Sequence, residues 1–365
     1  MRQSVSVASA LATLLIAGTT FAAAPPEQTA QATSPASAAS SGASQGPKLS
    51  PADQKRIGAI QQYQHDLITV VALRAQPDYL LGASILAKPF KESTPGLDFD
   101  ALSERAAAAT DAGPATYWER LGVCKTETDC PNGKAFAYLK QHAADNAAVW
   151  LVALDVAAAK KDSKAEHAAL EKAAAAKNYD DYYGQALAGV AKAVEILPPL
   201  PDTTDGAHDG QPDNPDGVRV LVAVNATQSH PRPDLDPLIA LCDKAAAGKN
   251  TDSRKACLKL AHTLQWGSSP IARAAGLRIQ GQLRPGDQAQ TEQASRNLAW
   301  QVHQYSGLLQ RSLTDPTLSS RWLAAARNGG TELSLILATL RDNQIPPDAP
   351  ASGSSTAAAA GSAAQ

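Results

Sequence analysis

Residues Asp145 to Lys177 read DNAAVWLVALDVAAAKKDSKAEHAALEKAAAAK. The spacing of apolar residues in this stretch decides the fold class. Val149, Trp150, Ala153, Leu154 and Ala157 recur at intervals that place side chains on one helical face, while Asp155 and Lys160 fall elsewhere. Ala165, Ala169, Leu170 and Ala173 repeat the device, and the polar break Lys160-Lys161-Asp162-Ser163 supplies the turn between two short helices. Neither helix is long enough to persist alone in water, because helix nucleation is unfavourable and tertiary packing supplies most helical stability. Each needs neighbours, so the chain reads as an array of helix pairs.

The rest of the composition agrees. The apolar fraction of the 365 residues is 44%, but only 5% are aromatic, and alanine fills much of the remainder. Alanine favours helix and buries little area, which suits helices packed closely through small side chains. The formal net charge is −2, or −3 once Arg2 leaves with an export signal, so no strong field recruits nucleic acid or anionic lipid. Residues 1–22 have the three parts of such a signal: Arg2, an apolar core from Val5 to Ala17, and Thr20-Phe21-Ala22 as a small-x-small cleavage site. The core is shorter than the roughly 20 residues of a membrane span, and no lipobox cysteine lies near the cleavage site. The expected mature protein is periplasmic or secreted, without membrane insertion.

The four cysteines form two local pairs, Cys124 with Cys130 and Cys242 with Cys257, in a compartment where disulfides persist. Cys242 and Cys257 lie nearly equidistant from the turn at Gly248-Lys249-Asn250, as facing positions of a helical hairpin would. On the loop-entropy model the two bridges stabilise by about 2.4 and 3 kcal/mol.

Low-complexity composition marks 23–50 as a disordered Ala/Ser/Pro-rich linker and 346–365 as a disordered tail. Between them, Pro51, Pro77 and Pro114 open helices, Asp98 or Asp100 and Asn132 cap others, and Leu187, Val190 and Val194 share a helical face with Tyr183. The Asp/Pro/Gly loop 200–217 is the expected boundary between an N-terminal helical repeat subdomain, 51–199, and a C-terminal helical subdomain, 218–345. Val218 to Val224 is rich in valine, yet it reads as helix because no partner strand is visible elsewhere.

The Asp145 to Lys177 stretch resembles a tetratricopeptide repeat, a helix-turn-helix unit of about 34 residues. Asn146 to Trp150 looks like the start of such a repeat, with Trp150 at the large aromatic position and as the structural anchor. Ala153 and Leu154, Ala157, Leu170 and Ala173 match further positions. The unit departs from the pattern in Glu166, which stands where a small residue is expected, and in lacking a closing proline. The resemblance implies an all-α, tetratricopeptide-like solenoid of antiparallel helix pairs with a concave surface for a protein or peptide partner.

No motif points to a nucleotide or another cofactor, and the seven histidines show no H-E-x-x-H spacing, so no catalytic, cofactor or metal set is assigned. Asp205, Asp209, Asp213 and Asp216 offer the hard oxygen ligands that calcium takes, although without the EF-hand spacing, and the same residues make an ordinary solvated loop. Tyr179, Tyr182 and Tyr183 are the candidate ligand groove, with core packing as the competing reading. The expected function is an exported, non-catalytic helical-repeat protein that binds or scaffolds another protein or peptide in the cell envelope. The alternative is a peptidoglycan hydrolase or its accessory subunit.

Overall fold

The computed structural model describes residues 49–90, 94–124, 130–203, 214–248 and 251–350. The expected export signal, almost all of the linker, Asp205, Asp209, Asp213 and the tail beyond residue 350 lie outside the described residues. Among the described residues there are fifteen α-helices and no strand. They are α1 (Pro51–Val71), α2 (Pro77–Ala87), α3 (Phe99–Ala108), α4 (Pro114–Glu119), α5 (Gly133–His142), α6 (Ala147–Ala159), α7 (Ser163–Ala175) and α8 (Tyr183–Ala193). Then come α9 (Pro215–Thr227), α10 (Asp236–Ala247), α11 (Thr251–Gln265), α12 (Pro270–Leu283), α13 (Gln288–Ser312), α14 (Pro316–Arg327) and α15 (Glu332–Asp342).

Local chemistry sets most of these boundaries. Ser50 and Asp53 form a capping box at α1, and the side chains of Asp98, Asn132, Asn146 and Asp162 accept from the first-turn amides of α3, α5, α6 and α7. The turn between α6 and α7 falls at Lys160–Asp162, with Lys161 left-handed at φ 56°. The valine-rich stretch is helical, as α9, and its cap Asn214 also donates to the carbonyls of Ser312 and Leu313, each at 3.2 Å. Both expected cysteine pairs are bonded: Cys124–Cys130, and Cys242–Cys257 joining α10 to α11. The folded chain extends past Ile345, because Trp300 and Gln301 of α13 donate to the carbonyls of Pro346 and Pro347 at 3.0 and 2.9 Å.

Sequence neighbours pair as antiparallel partners, among them α6 with α7 and α11 with α12. Helices distant in sequence also meet: α2 with α8, α7 with α11, and α9 with α14. α8 lies at the centre of this packing, touching α2, α4, α9 and α14. Its buried residues explain how four helices reach it, since Gly184, Ala186, Ala188, Gly189, Ala191 and Ala193 leave room for close backbone approach. Helices on both sides of 200–217 share the main hydrophobic core. A smaller cluster, with Leu277, Leu298, Leu308, Leu333, Ile336 and Leu340, joins α12, α13 and α15.

α2 crosses α8 closely. A Cβ added to Gly82 would strike the carbonyl of Gly189, and one added to Gly189 would come within 2.9 Å of the carbonyl of Asp78. Backbone cannot yield as a flexible side chain can. Gly82→Ala is therefore expected to cost about 1–3 kcal/mol in urea denaturation. Gly58→Ala, on the exposed face of α1 with nothing within 4 Å, should instead stabilise by roughly 0.5–1 kcal/mol.

Candidate functional site

The segment between α7 and α8, Asn178 to Tyr182, has no helix of its own to satisfy its backbone, although much of it is buried. Partners come from elsewhere in the chain. Ala147 N donates to the carbonyl of Asn178 at 2.8 Å, within an isolated parallel bridge between Asn146 and Asn178. The buried Asn146 side chain works in both directions. Its Oδ1 accepts from Ala148 N at 3.1 Å and from Asp180 N at 2.9 Å, while Nδ2 donates to the Asp180 carbonyl at 2.6 Å.

On the other side stands Ser268, in the turn between α11 and α12. Its N–H donates to the carbonyl of Tyr179 at 3.0 Å, and its carbonyl accepts from Leu333 N of α15 at 3.1 Å. Ser268 Oγ accepts from Asp181 N at 3.1 Å and donates to Asp181 Oδ1 at 2.9 Å. These bonds tie α6, α8, α12 and α15 to one short strip of backbone.

A charged chain crosses the same point. Glu119, at the end of α4, is 1% exposed, and His230, in the loop before α10, is 7% exposed. Glu119 Oε1 lies 2.5 Å from His230 Nδ1, and Lys88 Nζ donates to Oε2 at 2.5 Å. His230 Nε2 lies 2.6 Å from the carbonyl of Asp181. A carbonyl only accepts, so Nε2 carries a proton. Burial pushes the Glu119 carboxyl up, but His230 and Lys88 outweigh it and hold the group below the usual carboxylate range.

Arg232 donates to Glu332 Oε2 of α15 at 3.0 Å and lies 5.1 Å over the ring of Tyr183. Burial raises the Glu332 carboxyl, against the pull of Arg232. Lys88, His230 and Arg232 thus stand among three acidic side chains, Glu119, Asp181 and Glu332, and Asp181 Oδ2 is buried without a hydrogen-bond partner. Glu119 is a fully buried charge among them, and a buried charge is tolerable only when it is matched.

The candidate groove residues turn inward. Tyr179 is 4% exposed and Tyr182 9% exposed, with the Tyr182 ring 5.5 Å from that of Trp118. Tyr183 packs edge-on against His230, and its hydroxyl lies 3.3 Å from Thr227 Oγ1. These rings line no open groove, because the helices packed round α8 close over them. Trp150 packs against the main core. It is only partly buried, donating to the carbonyl of Ala144 at 2.7 Å with Lys172 stacked 4.5 Å above the ring. Val149, Leu151 and Leu154 carry the buried face of α6, and the fully buried tryptophan is Trp118. Asp216 accepts from Arg219 at 2.6 Å within the first turns of α9. Among the described residues no group of three or more His, Cys, Asp or Glu side chains could hold a metal.

Chemically, the cluster works as a joint. His230 has an oriented carboxylate on one nitrogen, as a general base would, but a backbone carbonyl occupies the other, and Ser268 donates to the Asp181 carboxyl group and not to an imidazole. No sequence pattern announces it, since Glu119 and His230 are 111 residues apart.

Glu119→Gln leaves Lys88 and His230 without the carboxylate between them and should cost about 3–5 kcal/mol at neutral pH. Because the folded carboxyl is held low, its contribution is present above the unfolded value of about 4.3 and lost as pH falls through the folded value. Denaturation at several pH values should show wild type and variant converging in acid. Asp155 behaves oppositely. Burial, with a smaller contribution from the Asp234 carboxylate, pushes it up to about 7 against the hydrogen bond from Asp234 N. Its folded form binds the proton more tightly, so stability falls as pH rises from about 4 to 7. Asp155→Asn should match wild type near pH 4 and exceed it, by of the order of 1 kcal/mol, above pH 7. Compared with known proteins, the chain matches no protein-family model, no curated protein and no solved structure.

Proposed function

We propose that this is an exported, non-catalytic helical protein that binds or scaffolds another protein or peptide in the cell envelope, on a tetratricopeptide-like array of helix pairs. Two disulfides fit an oxidising compartment, and no described helix is long and apolar enough to cross a membrane. In the central cluster Lys88, Glu119 and His230 bond one another and backbone carbonyls. One surface observation carries the reading: Trp266 is 78% exposed and Ile271 54% exposed, both in or beside the turn between α11 and α12. That turn is fixed by the bonds of Ser268 to Tyr179, Asp181 and Leu333, so the two apolar side chains are presented on rigid backbone. Leu73 is also exposed, but it stands alone at the end of α1, and isolated surface leucines are ordinary. Large aromatic side chains held rigidly at a surface are the usual anchors of protein interfaces.

Crosslinking in an envelope extract, with the purified mature protein as bait, tests this. The expected result is a discrete set of partners captured by wild type and lost with Trp266→Ala, whose fold helical circular dichroism should show intact. Peptidoglycan turnover by the purified protein would overturn the proposal in favour of the hydrolase alternative.

A further inference from the structure

The exposed tryptophan is the end of a longer feature. Lys255, Lys259 and His262 of α11 and then Trp266 follow at intervals of four, three and four residues, which places them in one stripe along the helix. All four are exposed. At about 1.5 Å per residue the stripe is roughly 16 Å long. α11 carries three fixed cations, Arg254, Lys255 and Lys259, against one carboxylate, Asp252, so its net charge is +2 in a chain of net charge −2. Asp252 sits at the start of the stripe, 3.7 Å from Lys255. The opposite face of α11 is occupied: Cys257, Leu260, Ala261 and Leu264 are buried, and α7, α10 and α12 pack against the helix.

Resting on the binding function proposed above, we infer that this stripe is the docking face, and that its occupant is an acidic polypeptide segment carrying an apolar residue that seats on Trp266 beside Ile271. Charge complementarity selects the partner. Lys255 and Lys259, one turn apart along the stripe, match carboxylates spaced along a peptide, and the apolar end fixes the register. A membrane surface fits less well, since an interfacial helix needs a broad apolar face to sink into the headgroups, and α11 buries its apolar face in the core.

Fluorescence anisotropy with a labelled synthetic peptide of about 12 Asp and Glu residues and one leucine tests the inference, with the same peptide in lysine as control. Wild type should bind the acidic peptide and not the lysine peptide, and binding should weaken as salt rises from about 50 to 300 mM. Trp266→Ala and the double variant Lys255→Glu/Lys259→Glu should each weaken it about tenfold or more. These positions are exposed, and helical circular dichroism checks that the variants stay folded. Equal binding by the variants, or no binding by wild type, overturns the inference. So does co-sedimentation of the protein with phosphatidylglycerol vesicles when the peptide does not bind. If the peptide fails while crosslinking still recovers partners that depend on Trp266, the acidic chemistry falls and the binding function stands.

Discussion

The structure depends on satisfying the backbone of Asn178 to Tyr182. A strip of irregular chain at the centre of an all-helical protein has amides and carbonyls that no helix of its own can bond, and leaving them unmet inside the protein costs about as much as losing each hydrogen bond. Asn146, Ser268 and His230 supply the partners, and each comes from a different part of the chain. The direction of α8, the approach of the α11–α12 turn and the start of α15 all follow from those bonds. Tyr182 even adopts φ 60°, a left-handed conformation uncommon for a bulky residue, with Asp180 Oδ1 accepting from its N–H at 2.8 Å.

Small residues make the second constraint. α8 touches four helices because glycine and alanine keep its surface thin, and α2 crosses it at Gly82 and Gly189. A core of this kind gains little area per residue, so it relies on many helices packed closely and on a few large side chains such as Trp118, Tyr63 and Leu154. The two disulfides add stability without apolar volume, and Cys242–Cys257 joins the hairpin that carries the exposed stripe.

The central cluster and the surface of α11 divide the chemistry between them. Inside, Lys88, Glu119 and His230 bond one another and backbone carbonyls. Outside, Trp266 remains uncovered on a turn that the same network holds still. Rigidity at the centre and exposure at the rim are linked through Ser268. A loosely held turn would lose ordering entropy on binding, whereas this one is already ordered.

Local properties were legible in the sequence. Prolines at first helical positions, the caps Asp98 and Asn132, and the apolar spacing of α6 and α7 depend on neighbours within a few residues, so the sequence alone determined an all-helical chain and most helix starts. The cysteine pairs were legible for the same reason, each closing a short loop. Burial was not. Trp150 reads as a packing anchor and Tyr182 as groove or core, and only the helices that reach them decide: Lys172 leaves Trp150 half covered, whereas Trp118 packs against Tyr182. The pairing of Glu119 with His230, and of Asp181 with Ser268, was likewise decided by tertiary structure alone. A hydrogen bond across 111 or 87 residues leaves no periodicity in the chain, because its partners are chosen by where the helices pack and not by their spacing in sequence.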